Sequence, residues 1–357
     1  MSSLDQLGWD PFFDRQLMDE ERARWTPARV VWEGREQYRV STGGATWSMQ
    51  LPGRFRHAAR TRADLPAVGD WVLVAMRSGD DRVAIHRTLV RRSQFSRSAA
   101  GRSTEQQVVA ANVDTVLIVT SFNLDFNLRR IERYLALTWE SGARPVIVVN
   151  KADMCPNREG WRPEIDSVAH GVPMLATSAL RGDGMMELDE LVRRSGTTVL
   201  LGSSGVGKST LINALTGHDR QSVLPTRDGD DRGRHSTTAR QLFCLPRGGV
   251  LIDTPGMREL QLWDADAGLD RAFADIQALA GGCRFRDCSH GGEPGCAVLA
   301  AVDRKELAAD RLDSYRRLQR ENHFVRLRHD ERAREERTRL AKRSARALRL
   351  QDRLRGR

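Results

Sequence analysis

No apolar run in these 357 residues approaches the roughly 20 residues that a membrane-spanning helix needs, although 40% of the chain is hydrophobic. A membrane partner is therefore not expected, and there is enough apolar side chain for soluble cores. Met1 to Arg24 mixes acidic, aromatic and basic residues and has no apolar signal core, so a cytoplasmic location is expected. Cysteines number only five, an odd count that argues against a disulfide framework. No Cys-x-x-Cys pair is present, which argues against a thiol redox motif. The length allows two or three domains, and a monomer is expected.

Charge of one sign is in excess only locally. Net charge is +10, and positions 326–357 hold 13 Lys/Arg against 5 Asp/Glu. An excess so concentrated implies a polyanionic partner, nucleic acid first. The competing reading is a solvated helical tail that only aids solubility.

The pattern along the chain divides it. Residues 1–27 form an arm, with Trp9, Phe12 and Phe13 as docking candidates. Residues 28–92 hold five short β-rich runs punctuated by Gly34, Gly43-Gly44, Pro52-Gly53 and Gly79. These suit a small oligonucleotide-binding type of β-barrel (an OB-fold). Arg35, Tyr38, Arg39, Arg54, Phe55 and Arg56 interleave basic and aromatic side chains there, which suits RNA binding; the aromatics also suit a small core. Residues 93–108 are polar and basic, a linker. Residues 109–262 alternate apolar strands with helical stretches, which predicts an α/β domain with a parallel sheet covered on both faces. Residues 263–328 hold a cysteine cluster followed by helices, and 329–357 are the basic tail.

The chemistry is concentrated at the carboxyl ends of the apolar strands. Gly202-Ser203-Ser204-Gly205-Val206-Gly207-Lys208-Ser209, followed by Thr210, matches a phosphate-binding loop between a strand and a helix. Its glycines free backbone N–H groups to turn toward phosphates, Lys208 pairs the β- and γ-phosphates, and Ser209 suits Mg²⁺. Asn150-Lys151-Ala152-Asp153 suits a guanine reader: a carboxylate at 153 can accept from both N1–H and the 2-amino group. Ser178 and Ala179 fit a second base-contacting loop. Asp253-Thr254-Pro255-Gly256 suits an acidic Mg²⁺ position and a γ-phosphate contact from Gly256. Between these motifs, Thr237 or Thr238 is placed to close onto Mg²⁺.

One expected group is missing. Many GTPases carry a water-orienting glutamine after Asp-x-x-Gly, but Met257 stands here. His235 is the local catalytic candidate, with a surface loop residue or an RNA contact as its other reading. Turnover without an activator is expected to be slow.

Cys283-x₄-Cys288-x-His290-x₅-Cys296 offers three thiolates and an imidazole within a short glycine-rich stretch, a structural zinc pattern. Cys155 and Cys244 have no partner in sequence and are expected to pack.

The order of the motifs is inverted, because the base reader lies 52 positions before the phosphate loop. The succession of Asn150-Lys151-Ala152-Asp153, Ser178-Ala179-Leu180, the phosphate loop, Gly233-Arg234-His235-Ser236-Thr237-Thr238 and Asp253-Thr254-Pro255-Gly256 resembles that of circularly permuted GTPases. With the barrel, the cysteine module, Gly69-Asp70-Trp71-Val72 and Ala110-Ala111-Asn112-Val113-Asp114, it resembles the ribosome small-subunit-dependent GTPase A family (RsgA or YjeQ) over residues 28–325. The resemblance implies a circularly permuted P-loop GTPase domain flanked by an OB-type barrel and a zinc-binding helical domain. It also implies GTP hydrolysis stimulated by the 30S subunit and its rRNA in late maturation, zinc at Cys283, Cys288, His290 and Cys296, and a role for His235. Ser236 stands where the family often has threonine, so the Mg²⁺ threonine stays open. An rRNA-binding placeholder with incidental hydrolysis and a GTPase acting on the large subunit or another RNA are the alternatives.

Overall fold

The computed structural model describes residues 3–34, 37–59, 61–76, 83–98, 106–121, 126–154, 160–217, 240–254 and 265–328. The arm carries two short helices, α1 (Pro11–Asp14) and α2 (Asp19–Arg24). Asp10 caps α1 by accepting from the Phe12 N–H at 2.8 Å. Trp9 meets Trp71 edge-on at 4.7 Å, and Phe13 is buried beside it. Two of the three expected docking aromatics therefore dock, while Phe12 stays partly exposed under the Arg92 guanidinium.

Five antiparallel strands follow: β1 (Thr26–Glu33), β2 (Tyr38–Ser41), β3 (Thr46–Met49), then α3 (Gly53–Ala58), β4 (Trp71–Met76) and β5 (Val83–Thr88). They pair in the order β3-β2-β1-β4-β5. Alternate residues, among them Val30, Tyr38, Val40, Val72, Val74 and Ile85, fill the interior. Tyr38 is thus a core residue, and Trp47 and Phe55 pack partly against the same cluster. The stretch expected to be a linker forms most of an antiparallel ribbon, β6 (Gln94–Ser98) with β7 (Gln106–Ala111). Gly69 (φ +92°) lets the ribbon close on the barrel: a Cβ there would sit 2.1 Å from the Ala111 carbonyl oxygen.

The α/β part runs β8 (Thr115–Ser121), α4 (Leu128–Glu140), β9 (Arg144–Asn150), α5 (Trp161–Asp166), β10 (Met174–Ala176), α6 (Met185–Arg194), β11 (Thr197–Leu201), α7 (Lys208–Thr216), β12 (Arg240–Cys244) and β13 (Val250–Asp253). Strands β10-β9-β8-β11-β13 are parallel, and β12 is antiparallel beside β13. Successive residues of β8 enter opposite layers. Val116 and Ile118 join one core with α4 and α5, and Leu117 and Val119 join another with α6 and α7.

Helices α8 (Asp266–Ala272), α9 (Ala274–Ala280), α10 (Ala297–Asp303) and α11 (309–328) form the last module. It docks on α4, where Gly268 has no room for a Cβ: Ala136 O would be 2.2 Å away. Glu132 of α4 is fully buried and accepts from Arg311 (2.8 Å), Arg129 (2.6 Å) and Ser314. Removing one partner of such a buried ionic set typically costs about 3–5 kcal/mol, so this contact fixes the docking.

Two long-range features join the parts. Strand β1 pairs with β12, which makes the barrel and the parallel sheet one continuous sheet of 11 strands. Arg29, fully buried, donates to the carbonyls of Leu7, Gly69 and Asn112 and to Thr197 Oγ1 at 2.9 Å. One side chain thus ties arm, barrel, ribbon and α/β sheet together. Burial lowers the Arg29 pKa to about 10, which still leaves it charged at neutral pH.

Candidate functional site

The predicted nucleotide residues converge at the carboxyl ends of the parallel strands. The phosphate loop leaves β11, and α7 starts at Lys208. Gly205 and Gly207 have φ of +80° and +96°, which only glycine adopts without strain. A Cβ on Gly207 would sit 2.2 Å from Asn150 Nδ2, so the second reason for glycine here is close packing against the Asn150 side chain. The Lys208 ammonium lies inside the loop's curve, donating to Gly202 O at 2.8 Å and to Ser203 O.

Asn150 is the joint of the site. It is buried at the end of β9, and its Nδ2 donates to Val206 O at 2.9 Å. Its Oδ1 accepts from the Ala179 N–H and from Thr177 Oγ1, both at 3.2 Å. One amide therefore holds the phosphate loop and the loop of residues 177–179 to the end of β9 at once. Ser178 Oγ donates to Asp153 Oδ1 at 2.6 Å, fixing the direction of that carboxylate. Lys151 takes φ +61°, a left-handed turn directly after β9.

Asp253 ends β13, directly across from Gln241 of β12. Beside it, Thr254 Oγ1 is buried with no hydrogen-bond partner among the described residues. The Ser209 hydroxyl and Asp253 carboxylate are hard oxygen donors at the ends of neighbouring elements, and this donor set fits Mg²⁺. His235, Thr237, Thr238, Gly256 and Met257 lie outside the described residues, as does Cys155. Cys244 is half-buried in β12 and packs against the main core.

The cysteine module is assembled as a ligand set. The Sγ atoms of Cys283, Cys288 and Cys296 and a ring nitrogen of His290 all lie within 4.8 Å of one another. Cys283 Sγ is 3.9 Å from Cys296 Sγ, and His290 Nδ1 is 3.6 and 3.4 Å from the two. A tetrahedral ion with metal–sulfur bonds of about 2.3 Å needs sulfurs about 3.8 Å apart, so the spacing suits a closed metal site. Burial pushes the Cys288 thiol up to about 11. Desolvation also opposes the Cys283 thiolate, yet backbone N–H groups of Val298 and Ala297 bring its pKa below the usual value. A cation bound at the centre would offset the cost of ionising thiols packed this closely.

Sequence reasoning missed several supporting groups. Thr177 positions Asn150, and Glu293 accepts from the Ser289 N–H at 2.8 Å and the Gly291 N–H at 2.7 Å, bracing the metal loop. Glu293 is held well below the usual carboxylate range, first by its bond from the Ser289 hydroxyl. Neither is a defining residue of a motif: Thr177 directly precedes Ser178, and Glu293 lies in the spacer between His290 and Cys296. A cavity of about 1080 Å³ opens elsewhere, lined by Thr115 and Arg144 at the amino ends of β8 and β9. It contains none of the nucleotide motif residues.

A phosphate loop, a base reader that precedes it, and a parallel sheet that brings both to one end define a circularly permuted P-loop GTPase. Comparison with known proteins agrees. A family model described as RsgA GTPase matches residues 88–263. The small ribosomal subunit biogenesis GTPase RsgA of Opitutus terrae is 44% identical over 336 residues, 90% of each chain. Its namesake from Streptomyces avermitilis is 44% identical over 93% of this chain and 89% of its own. The crystal structure of YjeQ from Thermotoga maritima aligns with a TM-score of 0.62 and 28% identity, covering 84% of this chain and 98% of its own. YloQ, a circularly permuted GTPase, shares the fold at a TM-score of 0.61 and 22% identity. The chain belongs to the RsgA GTPase family, and its activity is GTP hydrolysis.

Proposed function

We propose that this GTPase acts on the small (30S) ribosomal subunit during its late maturation, and that subunit rRNA accelerates its turnover. The observation that carries the nucleotide part is Asn150, whose single amide spans the phosphate loop and the base loop. The net charge of +10 and the basic stretch 326–357 support a polyanionic partner. The curated relatives carry small-subunit biogenesis in their names. No helix among the described residues is long and apolar enough to cross a membrane. The proposed action on a ribosomal subunit is the ground on which we assign the protein to the cytoplasm, as a monomer.

In this reading Gly202 to Thr210 cradle the phosphates through backbone N–H groups, and Lys208 adds charge between the β- and γ-phosphates. Asp153 reads the guanine edge, with Ser178 holding it; the Ala179 N–H, here bonded to Asn150 Oδ1, turns or is shared to reach O6, and Lys151 covers the base. Ser209, Asp253 and Thr237 or Thr238 would hold Mg²⁺, which would supply positive charge against the charge developing on the phosphates. Gly256 meets the γ-phosphate, and His235 orients water, a role that Met257 cannot fill. Zinc is the metal we assign to Cys283, Cys288, His290 and Cys296, as a structural ion.

The test is phosphate release measured alone and with 30S subunits, 50S subunits or free rRNA. Acceleration by 30S alone is expected. No acceleration by any of them favours a nucleotide-dependent placeholder, and acceleration by 50S moves the reading to the large subunit.

A further inference from the structure

One row of side chains crosses the joint between barrel and GTPase sheet. Ser48 pairs with Arg39, Arg39 with Trp32, Trp32 with Gln241, and Gln241 with Asp253. Directly opposed residues in antiparallel strands point to the same face, with Cβ atoms about 4.5–5.5 Å apart. All five therefore share one face, from β3 of the barrel to the nucleotide end of β13. None of the five is buried, and Ser48 and Gln241 are exposed. The opposite face holds buried Tyr38 and Met49, and the buried Arg240, whose Nη1 is 2.9 Å from both oxygens of Glu33.

The row is pre-set at its barrel end. The Arg39 guanidinium stands 5.0 Å from the Trp32 ring, and that ring lies so close to Gly34 that a Cβ there would be 2.2 Å from it. Strand β12 is clamped on both edges, by β13 through four register pairs and by β1 through two. The Arg240–Glu33 ion pair crosses the second edge. A displacement of β12 that repositions Asp253 therefore also moves Trp32.

We infer that Trp32 and Gln241 are positioning residues for the nucleotide site, coupling the Trp32–Arg39 face of the barrel to Asp253 through β12. This rests on the proposed action at the small subunit and on Asp253 as a nucleotide-site residue. The coupling is reciprocal by linkage. If the nucleotide changes the subunit's affinity by some factor, the subunit changes the preference for GTP over GDP by the same factor.

The experiment compares binding of purified 30S subunits to the full chain loaded with a non-hydrolysable GTP analogue or with GDP. It uses the parent, Gln241→Ala, Trp32→Ala and Trp32→Phe. The parent is expected to bind several-fold tighter in one state. Gln241→Ala and Trp32→Ala should bring the ratio near one while GDP-state affinity and melting temperature stay close to the parent's. Trp32→Phe, which keeps an aromatic ring, should keep part of the ratio. A merely structural role would weaken both states alike. A parent ratio of one, or a ratio that survives both alanine variants, overturns the inference while leaving subunit action standing. No subunit binding in either state overturns the proposed function and this inference with it.

Discussion

Arg240 and Glu33 face each other across the β12–β1 joint, with both carboxylate oxygens 2.9 Å from Arg240 Nη1 and both side chains nearly buried. Burial pushes the Glu33 carboxyl above its usual range, and the Arg240 charge and hydrogen bonds oppose that shift. The pair bridges 207 positions of sequence. Glu33→Ala leaves a buried guanidinium without its carboxylate, which should cost about 3 kcal/mol. Urea unfolding checks this. A loss under about 1 kcal/mol would mean that water replaces the pair.

Lys208→Ala should weaken GTP binding or turnover on the order of a hundredfold, because the only side-chain cation of the phosphate loop is gone. Fluorescent-nucleotide titration reads it. Near-parent affinity and turnover would mean the loop does not hold the phosphates.

Asp153→Asn should lower GTP affinity at least about tenfold and shift preference toward the xanthine nucleotide, since charge-assisted acceptors are worth about 1.5–3 kcal/mol each. The bond from Ser178 sharpens this expectation, for it holds the carboxylate in one direction. Competition between the two nucleotides is the measurement, and an unchanged ratio counts against the guanine role.

Stripping the metal should release about one zinc per chain and loosen the loop that runs from Cys283 to Cys296, because folding and ligation share one free energy. Thermal melting with and without a chelator, alongside metal analysis, tests it. Cys296 is buried against the main core, so Cys296→Ser should lower stability more than Cys288→Ser.

Glu21 gives a pH signature. Its bond from Arg87 at 2.6 Å holds its pKa down at about 2, against an ordinary value of 4.5. Because the folded pKa lies below the unfolded one, the stabilisation is complete above the unfolded value and is lost as pH falls from about 4.5 through about 2. Glu21→Gln should therefore flatten the fall in melting temperature over that window. Parallel curves for parent and variant would remove the contact from the acid response.

Much of the α/β domain was legible because local pattern was enough. Strands β8, β9, β11 and β13 are largely buried apolar runs; β9, β11 and β13 each lead straight into a motif, and β8 follows Ala110-Ala111-Asn112-Val113-Asp114. The cysteine spacing likewise forecast a ligand set that the fold brings within 4.8 Å. Strand β12 was not legible: five residues of weak alternation, Arg240–Cys244, carry little periodic signal. The ribbon hid in a polar, basic stretch because β6 and β7 pair with each other rather than with a core-facing neighbour.

The sequence alone thus determined the chemistry: which residues suit phosphate, guanine and metal, and that the base reader precedes the phosphate loop. Spacing and residue type suffice there, because each motif is a local backbone shape with its donors attached. Only the tertiary structure decided how the parts are joined. In sequence, Asp253-Thr254-Pro255-Gly256 is followed by the cysteine module and the basic tail. The fold also joins it sideways, through β12, to a barrel that lies before it. Strand pairing and the burial of Arg29 depend on contacts between distant segments, and no local pattern encodes which distant partner fills them.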